Sequence, residues 1–218
     1  LKRAGRSFNQ QQLVEEWIMK IMNGKSFVLF LGLMSVSAQG ADGIRLGNIS
    51  YGGSGCPGGS ASVSLSPDGS ALSILFDSYV VEAAGRKTID RKNCNIAIPI
   101  QVPQGYSYSI VALDYRGFLG LPSGGKAQLA VNYFLAGQGQ GLRTVKNFTS
   151  RDNGEYFKTD RLGLEAVVWT ACGASTVLRS NTSLFAQTNS RGDQALATVD
   201  SVDVNAGIIY QLQWKRCR

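Results

Sequence analysis

The sequence contains no histidine. That absence excludes Ser-His-Asp and Cys-His nucleophilic catalysis in their usual forms, and every metal site that depends on imidazole. None of the four cysteines stands in a CxxC pair, so a zinc site would need all four thiolates together. No P-loop is present, and no resident metal or cofactor is expected. The longest apolar run, around 27–36, is roughly half the ~20 residues that cross a bilayer. After it, no window repeats its apolar residues at the 3.6-residue helical period over three turns. A clustered basic stripe of the kind that binds nucleic acid is missing as well.

What is present begins with an export signal. Met19, Lys20 and Lys25 precede the apolar run, and Val36-Ser37-Ala38 closes it with small residues. This is the n-region, h-region and cleavage-site order of a secretory signal peptide, with cleavage expected after Ala38 rather than Ala41. Residues 19–38 are therefore assigned to the signal peptide, 1–18 to an upstream artefact or an N-terminal extension, and 39–218 to one domain. Lys plus Arg number 22 against 15 Asp plus Glu. Residues 1–38 hold Lys2, Arg3, Arg6, Lys20 and Lys25 against Glu15 and Glu16, so 17 against 13 remain, a surplus of +4. Such a surplus favours solubility and contact with anionic surfaces.

Cys56, Cys94, Cys172 and Cys217 all follow the signal. An even count in an exported chain implies two disulfides, for which three connectivities exist. Cys56–Cys94 and Cys172–Cys217 are expected, because each encloses only a few candidate strands. The remaining sequence reads as short strands between Gly, Asn, Asp and Pro turns: 61–66, 71–76, 95–102, 106–115, 126–135, 155–158, 164–171, 175–187, 195–204 and 208–215. Residues 47–60 read as a glycine-rich loop, and 137–154 as the longest irregular segment, carrying Arg143, Lys146 and Arg151. Connections this short leave no room for helical crossovers, so the fold expected is all-β, a single antiparallel sandwich or jelly roll stapled by two disulfides.

Several motifs carry possible chemistry. Gly53-Ser54-Gly55-Cys56-Pro57-Gly58 satisfies GxGxxG literally, but a strand follows where a dinucleotide site needs a helix. Arg191-Gly192-Asp193 is an adhesion-type tripeptide of a kind that also arises by chance, and Asn48, Asn147 and Asn181 head glycosylation sequons. Asp114-Tyr115-Arg116-Gly117 ends a strand with an acid, an aromatic and a guanidinium, which suits either polar recognition or a local ion pair. Candidate binding residues are Asp77, Tyr79, Asp114, Tyr115, Arg116, Arg143, Lys146 and Arg151, with Tyr115, Phe118 and Tyr156 read as exposed aromatics. No catalytic constellation is legible. The function expected is a secreted, non-catalytic binding or surface-interaction module for glycan or cell-envelope polymer, with no nucleic-acid partner. The alternatives are a histidine-free carboxylate hydrolase using Asp77 with Asp114, or a secreted inhibitor or effector.

An ordered set of segments also carries a family likeness. Gly55-Cys56-Pro57-Gly58-Gly59-Ser60, Ser66-Pro67-Asp68-Gly69, Phe76-Asp77-Ser78-Tyr79, Arg91-Lys92-Asn93-Cys94, Val102-Pro103-Gln104-Gly105-Tyr106, Asp114-Tyr115-Arg116-Gly117 and Tyr133-Phe134 occur in that order. Trp169-Thr170-Ala171-Cys172-Gly173 and Trp214-Lys215-Arg216-Cys217 complete it. The chain thereby resembles the secreted proteins of domain-of-unknown-function family 4360. The resemblance implies export, β structure and cysteine stapling, and no particular activity.

Overall fold

The computed structural model describes residues 43–137, 141–163, 167–199 and 207–217. The signal peptide and upstream segment assigned above lie outside these residues. The described residues form thirteen strands: β1 Arg45–Leu46, β2 Ser50–Gly52, β3 Ala61–Leu65, β4 Ala71–Phe76, β5 Val80–Ala83, β6 Ile89–Gln101, β7 Tyr106–Gly120, β8 Lys126–Leu135, β9 Leu142–Thr149, β10 Gly154–Arg161, β11 Thr176–Gln187, β12 Ala195–Thr198 and β13 Ile208–Arg216. One 3-10 turn, Ser150–Asp152, links β9 to β10.

The strands build two antiparallel sheets, as the short connections require. The first runs β1-β6-β11-β8-β9, with β2 pairing β6 beyond β1. The second runs β3-β4-β13-β7-β12-β5, with β10 along the other edge of β7. Consecutive strands β6 and β7 belong to different sheets, so the chain crosses between layers instead of winding as a meander. Pro99 interrupts no ladder. Its carbonyl accepts from Gly47 N between β1 and β2, so the missing N–H faces that same gap.

Alternation decides which side chains enter the core. From the first sheet come Ile96, Ile98, Ile100, Leu129, Val131, Leu178 and Leu184; from the second come Leu72, Ile74, Leu113, Leu119, Ile208 and Leu212, all buried. Each fully buried aliphatic side chain contributes about 1.5–3 kcal/mol over leaving it in water. Tyrosines bridge the layers. Tyr115 Oη meets Thr144 Oγ1 at 2.7 Å, Tyr108 Oη meets Thr176 Oγ1 at 2.6 Å, and Tyr210 donates to Ser180 Oγ. Serine and threonine hydroxyls on the inner positions of β9 and β11 thus satisfy phenols that would otherwise be orphaned.

The disulfides are Cys56–Cys94 and Cys172–Cys217, with Cα–Cα distances of 5.3 and 6.0 Å. The first draws the glycine-rich loop onto β6. A Cβ on Gly53 would lie 2.2 Å from Asn93 O, and one on Gly55 would lie 2.2 Å from the Tyr79 ring. The GxGxxG spacing is therefore one of close packing against a strand.

Several segments differ from their sequence reading. Residues 142–149 form β9, where an irregular segment was expected, because an edge strand tolerates polar residues on both faces. Strand β5 and the start of β6 lie where no strand was read, and β2 sits within the glycine-rich loop. Residues 167–171 join no ladder; they follow β7 through Thr170 N to Tyr108 O and a bond from Tyr108 N to Thr170 Oγ1. The first residues expected in that strand, 164–166, and residues 200–204 of the strand expected over 195–204 lie outside the described residues.

Candidate functional site

The eight residues singled out from sequence do not converge. Tyr79 is 1% exposed, with its hydroxyl 3.0 Å from Thr182 Oγ1, and burial pushes it up to about 12. Tyr115 is fully buried and its phenol is likewise pushed up by burial. Both belong to the core and offer no binding surface. Tyr156 is buried as well, against Phe148, while Phe118 is 38% exposed.

Asp114 and Arg116 alternate with Tyr115 and stand on the outer face of the second sheet. Asp114 accepts from Thr159 Oγ1 at 2.6 Å and Gln211 Nε2 at 2.8 Å, one neighbour on each flanking strand. The Arg116 guanidinium lies 4.9 Å from the Phe157 ring centroid, a cation–π contact. Asp77 is exposed just beyond β4. Asp114 shares a row with Ile209 and Ser73, so Asp77 lies two strands across and four residues along. Strand spacing and rise put the two α-carbons about 16 Å apart. Paired glycosidase carboxylates stand within about 9.5 Å, so this geometry gives the two no joint role.

Arg143, Lys146 and Arg151 also separate. Lys146 points inward from edge strand β9 and pairs with Asp160 of β10, side chains 25% and 20% exposed. Arg151 is exposed in the 3-10 turn, which Thr149 and Asp152 close as a capping box. In the RGD tripeptide, Arg191 binds Asp193 at 2.9 Å. The Asn189 amide and Arg191 hold the Asp193 carboxyl below its ordinary range. Its two charges thus pair with one another at the surface, with side chains 72% and 44% exposed.

Arg143 leads to a surface that sequence reasoning did not assemble. It stands on the outer face of the first sheet, in a row that continues through Asn132 of β8 and Asn181 of β11 to Asn95 of β6. Four residues further along β11, a second row holds Arg91, Phe185, Gln128 and Asn147. The Arg91 guanidinium covers Phe185 at 5.1 Å, and Gln128 donates to Asn147 at 2.8 Å. Arg179, Lys126 and Arg45 occupy outer positions on β11, β8 and β1, and all are exposed. Two shallow depressions open along this face. One, of about 600 Å³, is lined by Arg45, Pro99, Gln101 and Val177 among others. The next, of about 320 Å³, is lined by Asn95, Ala97, Arg179 and Asn181. The sequon asparagines Asn147 and Asn181 lie on the same face, and Asn48 is exposed beside it between β1 and β2. The sequence signal was the polar half of each alternation, divided among strands far apart in the chain.

Among the described residues, no group of His, Cys, Asp or Glu could hold a metal ion. No described helix is long and apolar enough to cross a membrane. A secreted protein of the fungus Arthroderma benhamiae is 30% identical over 183 residues, 83% of this chain and 75% of that protein. Two solved structures resemble the chain weakly. The virus-like particle of the Macrobrachium rosenbergii extra small virus is 8% identical, covering 65% of this chain and 80% of its own, at a TM-score of 0.21. A family 11 carbohydrate-binding module of Clostridium thermocellum, in complex with a mixed-linked tetrasaccharide, is 8% identical, covering 78% and 87%, at a TM-score of 0.18. At these scores neither likeness bears on fold or ligand. The secreted relative and the two disulfides agree in making this an exported protein. Residues 42–217 match the model of the domain of unknown function DUF4360, and the chain belongs to that family.

Proposed function

We propose that this protein is a secreted, non-catalytic binding module for a glycan or cell-envelope polymer, and that it binds through the outer face of its first sheet. The observation that carries the reading is the pair of depressions along β6 and β11, lined by Asn95, Asn181, Gln101 and Arg179. An extended polymer needs a long, shallow, hydrogen-bonding surface, and both amide oxygens and amide nitrogens serve sugar hydroxyls. The sandwich below is held by its own core and two disulfides, so the face stays formed without a ligand. The separation of Asp77 from Asp114 favours binding over hydrolysis.

The test is retention of the protein by a panel of insoluble cell-wall polysaccharides, with Asn95→Ala/Asn181→Ala as the comparison. Retention that falls at least about fivefold in the variant supports the reading, consistent with losing two net hydrogen bonds of about 0.5–1.5 kcal/mol each. Absence of retention on every polymer overturns it.

A further inference from the structure

The same face has a charge pattern that narrows its ligand. Resting on the binding reading above, we infer that it takes an acidic polysaccharide, a chain bearing uronate carboxylates among free hydroxyls. Arg45, Arg91, Lys126, Arg143 and Arg179 all occupy outer positions of the first sheet. None of them is in an ion pair among the described residues, where the pairs are Lys87–Asp90, Lys146–Asp160, Lys158–Asp152 and Arg191–Asp193. No outer position of this sheet holds Asp or Glu. The acids on and beside its strands turn elsewhere: Asp90 shares a row with buried Ala186, on the inner side of β6. Asp152, beyond the end of β9, faces Lys158. The second sheet is different, with Glu82, Asp114 and Glu155 on its outer side.

Spacing separates the ligand classes. From the register, Arg179 and Arg143 lie two strands and two residues apart, as do Arg91 and Lys126. Strand geometry makes these α-carbon separations about 12 Å, with Arg45 about 16 Å from Arg179. One small anion cannot bridge such gaps, whereas a polymer with regularly placed carboxylates can meet several cations in turn. Duplex nucleic acid carries a charge about every 1.7 Å and is held by clustered phosphate contacts, which cations about 12 Å apart do not supply. Asn93, Asn95, Asn132, Asn147, Asn181 and Gln128 fill the space between the cations. They match hydroxyl groups, which both donate and accept, whereas the phosphate and ester oxygens of a phospholipid surface only accept.

The experiment compares polygalacturonate with its fully methyl-esterified, neutral form by affinity electrophoresis and titration calorimetry, using the intact protein. Polygalacturonate is expected to bind, esterification to abolish most of the affinity, and a rise from about 0.05 M to about 0.5 M salt to weaken it strongly. Each exposed cation is expected to contribute about two- to fivefold, so Arg91→Gln/Arg143→Gln/Arg179→Gln should lose about eightfold or more. The single variants Arg143→Gln and Arg179→Gln, both at exposed positions, guard against misfolding in the triple variant. Equal binding of the neutral ester, insensitive to the charge variants, overturns the inference and leaves the broader binding reading standing. Binding to duplex DNA or anionic phosphatidylserine vesicles as tight as to the polyuronate, and lost in the same variants, also overturns it. Failure to bind any polysaccharide removes both.

Discussion

Raising the pH should unfold this protein through its tyrosines. Tyr79, Tyr108, Tyr115, Tyr133 and Tyr210 are each no more than 3% exposed. Burial, opposed only in part by hydrogen bonds with Thr182 and Thr176, pushes Tyr79 and Tyr108 up to about 12. The same cause drives Tyr115, Tyr133 and Tyr210 upward. In an unfolded chain these phenols ionise near pH ~10. Because the folded values are raised, the stabilisation is fully present below pH ~10 and is lost as pH rises through the folded values. At pH ~11, a phenol shifted from about 10 to about 12 costs the fold about 1.4 kcal/mol, so Tyr79 and Tyr108 together remove about 3 kcal/mol. The other three act in the same direction, and a domain of this kind holds only about 5–15 kcal/mol in total. No histidine titrates between pH ~5 and ~8, so stability should be flat there and fall steeply above pH ~10. Thermal melts by circular dichroism across this range, with tyrosinate absorbance recorded in parallel, measure both events. Ionisation of the buried phenols should coincide with loss of β signal, and Tyr79→Phe should reduce the slope by about 1.4 kcal/mol per pH unit. If these phenols ionise near pH ~10 while the fold persists, the buried tyrosine layer is refuted.

Further outcomes follow from the interior and the staples. Lys146→Met should cost about 2–4 kcal/mol, because Asp160 Oδ2 is already buried without a partner and Oδ1 would lose Lys146. Adding Asp160→Asn should recover at least half of that in urea denaturation, and a Lys146→Met loss below about 0.5 kcal/mol would show the pair to be screened by water. Under mild native reduction Cys172–Cys217 should open first, since Cys172 is exposed while Cys56 and Cys94 are fully buried; alkylation and peptide mass mapping report the order. Removing that bridge with the double change Cys172→Ser/Cys217→Ser should cost about 4 kcal/mol in urea denaturation, for a sequence separation of 45.

Local chemistry made much of this protein readable from its sequence. Alternation at Ile96, Ile98 and Ile100 announced a half-buried strand, because side chains of successive residues point to opposite faces whatever the fold around them. Proximity in the chain led to both disulfide pairs, and the Pro67-Asp68-Gly69 turn set the β3–β4 hairpin. The absence of histidine ruled out whole classes of chemistry without reference to geometry. Tertiary structure decided the rest. It placed Tyr115 inside and its neighbours Asp114 and Arg116 outside, on a sheet whose orientation comes from distant partners. It turned Lys146 inward to Asp160 across the layers, although Arg143 on the same strand faces solvent. Above all, it aligned Asn95, Asn181, Asn132 and Arg143, from four strands, into one row. Period-two alternation tells which side of a strand is polar, but register tells which polar residues become neighbours. Register depends on long-range pairing and the packing of the core beneath, so the face proposed for binding came into view only with the assembled sheet.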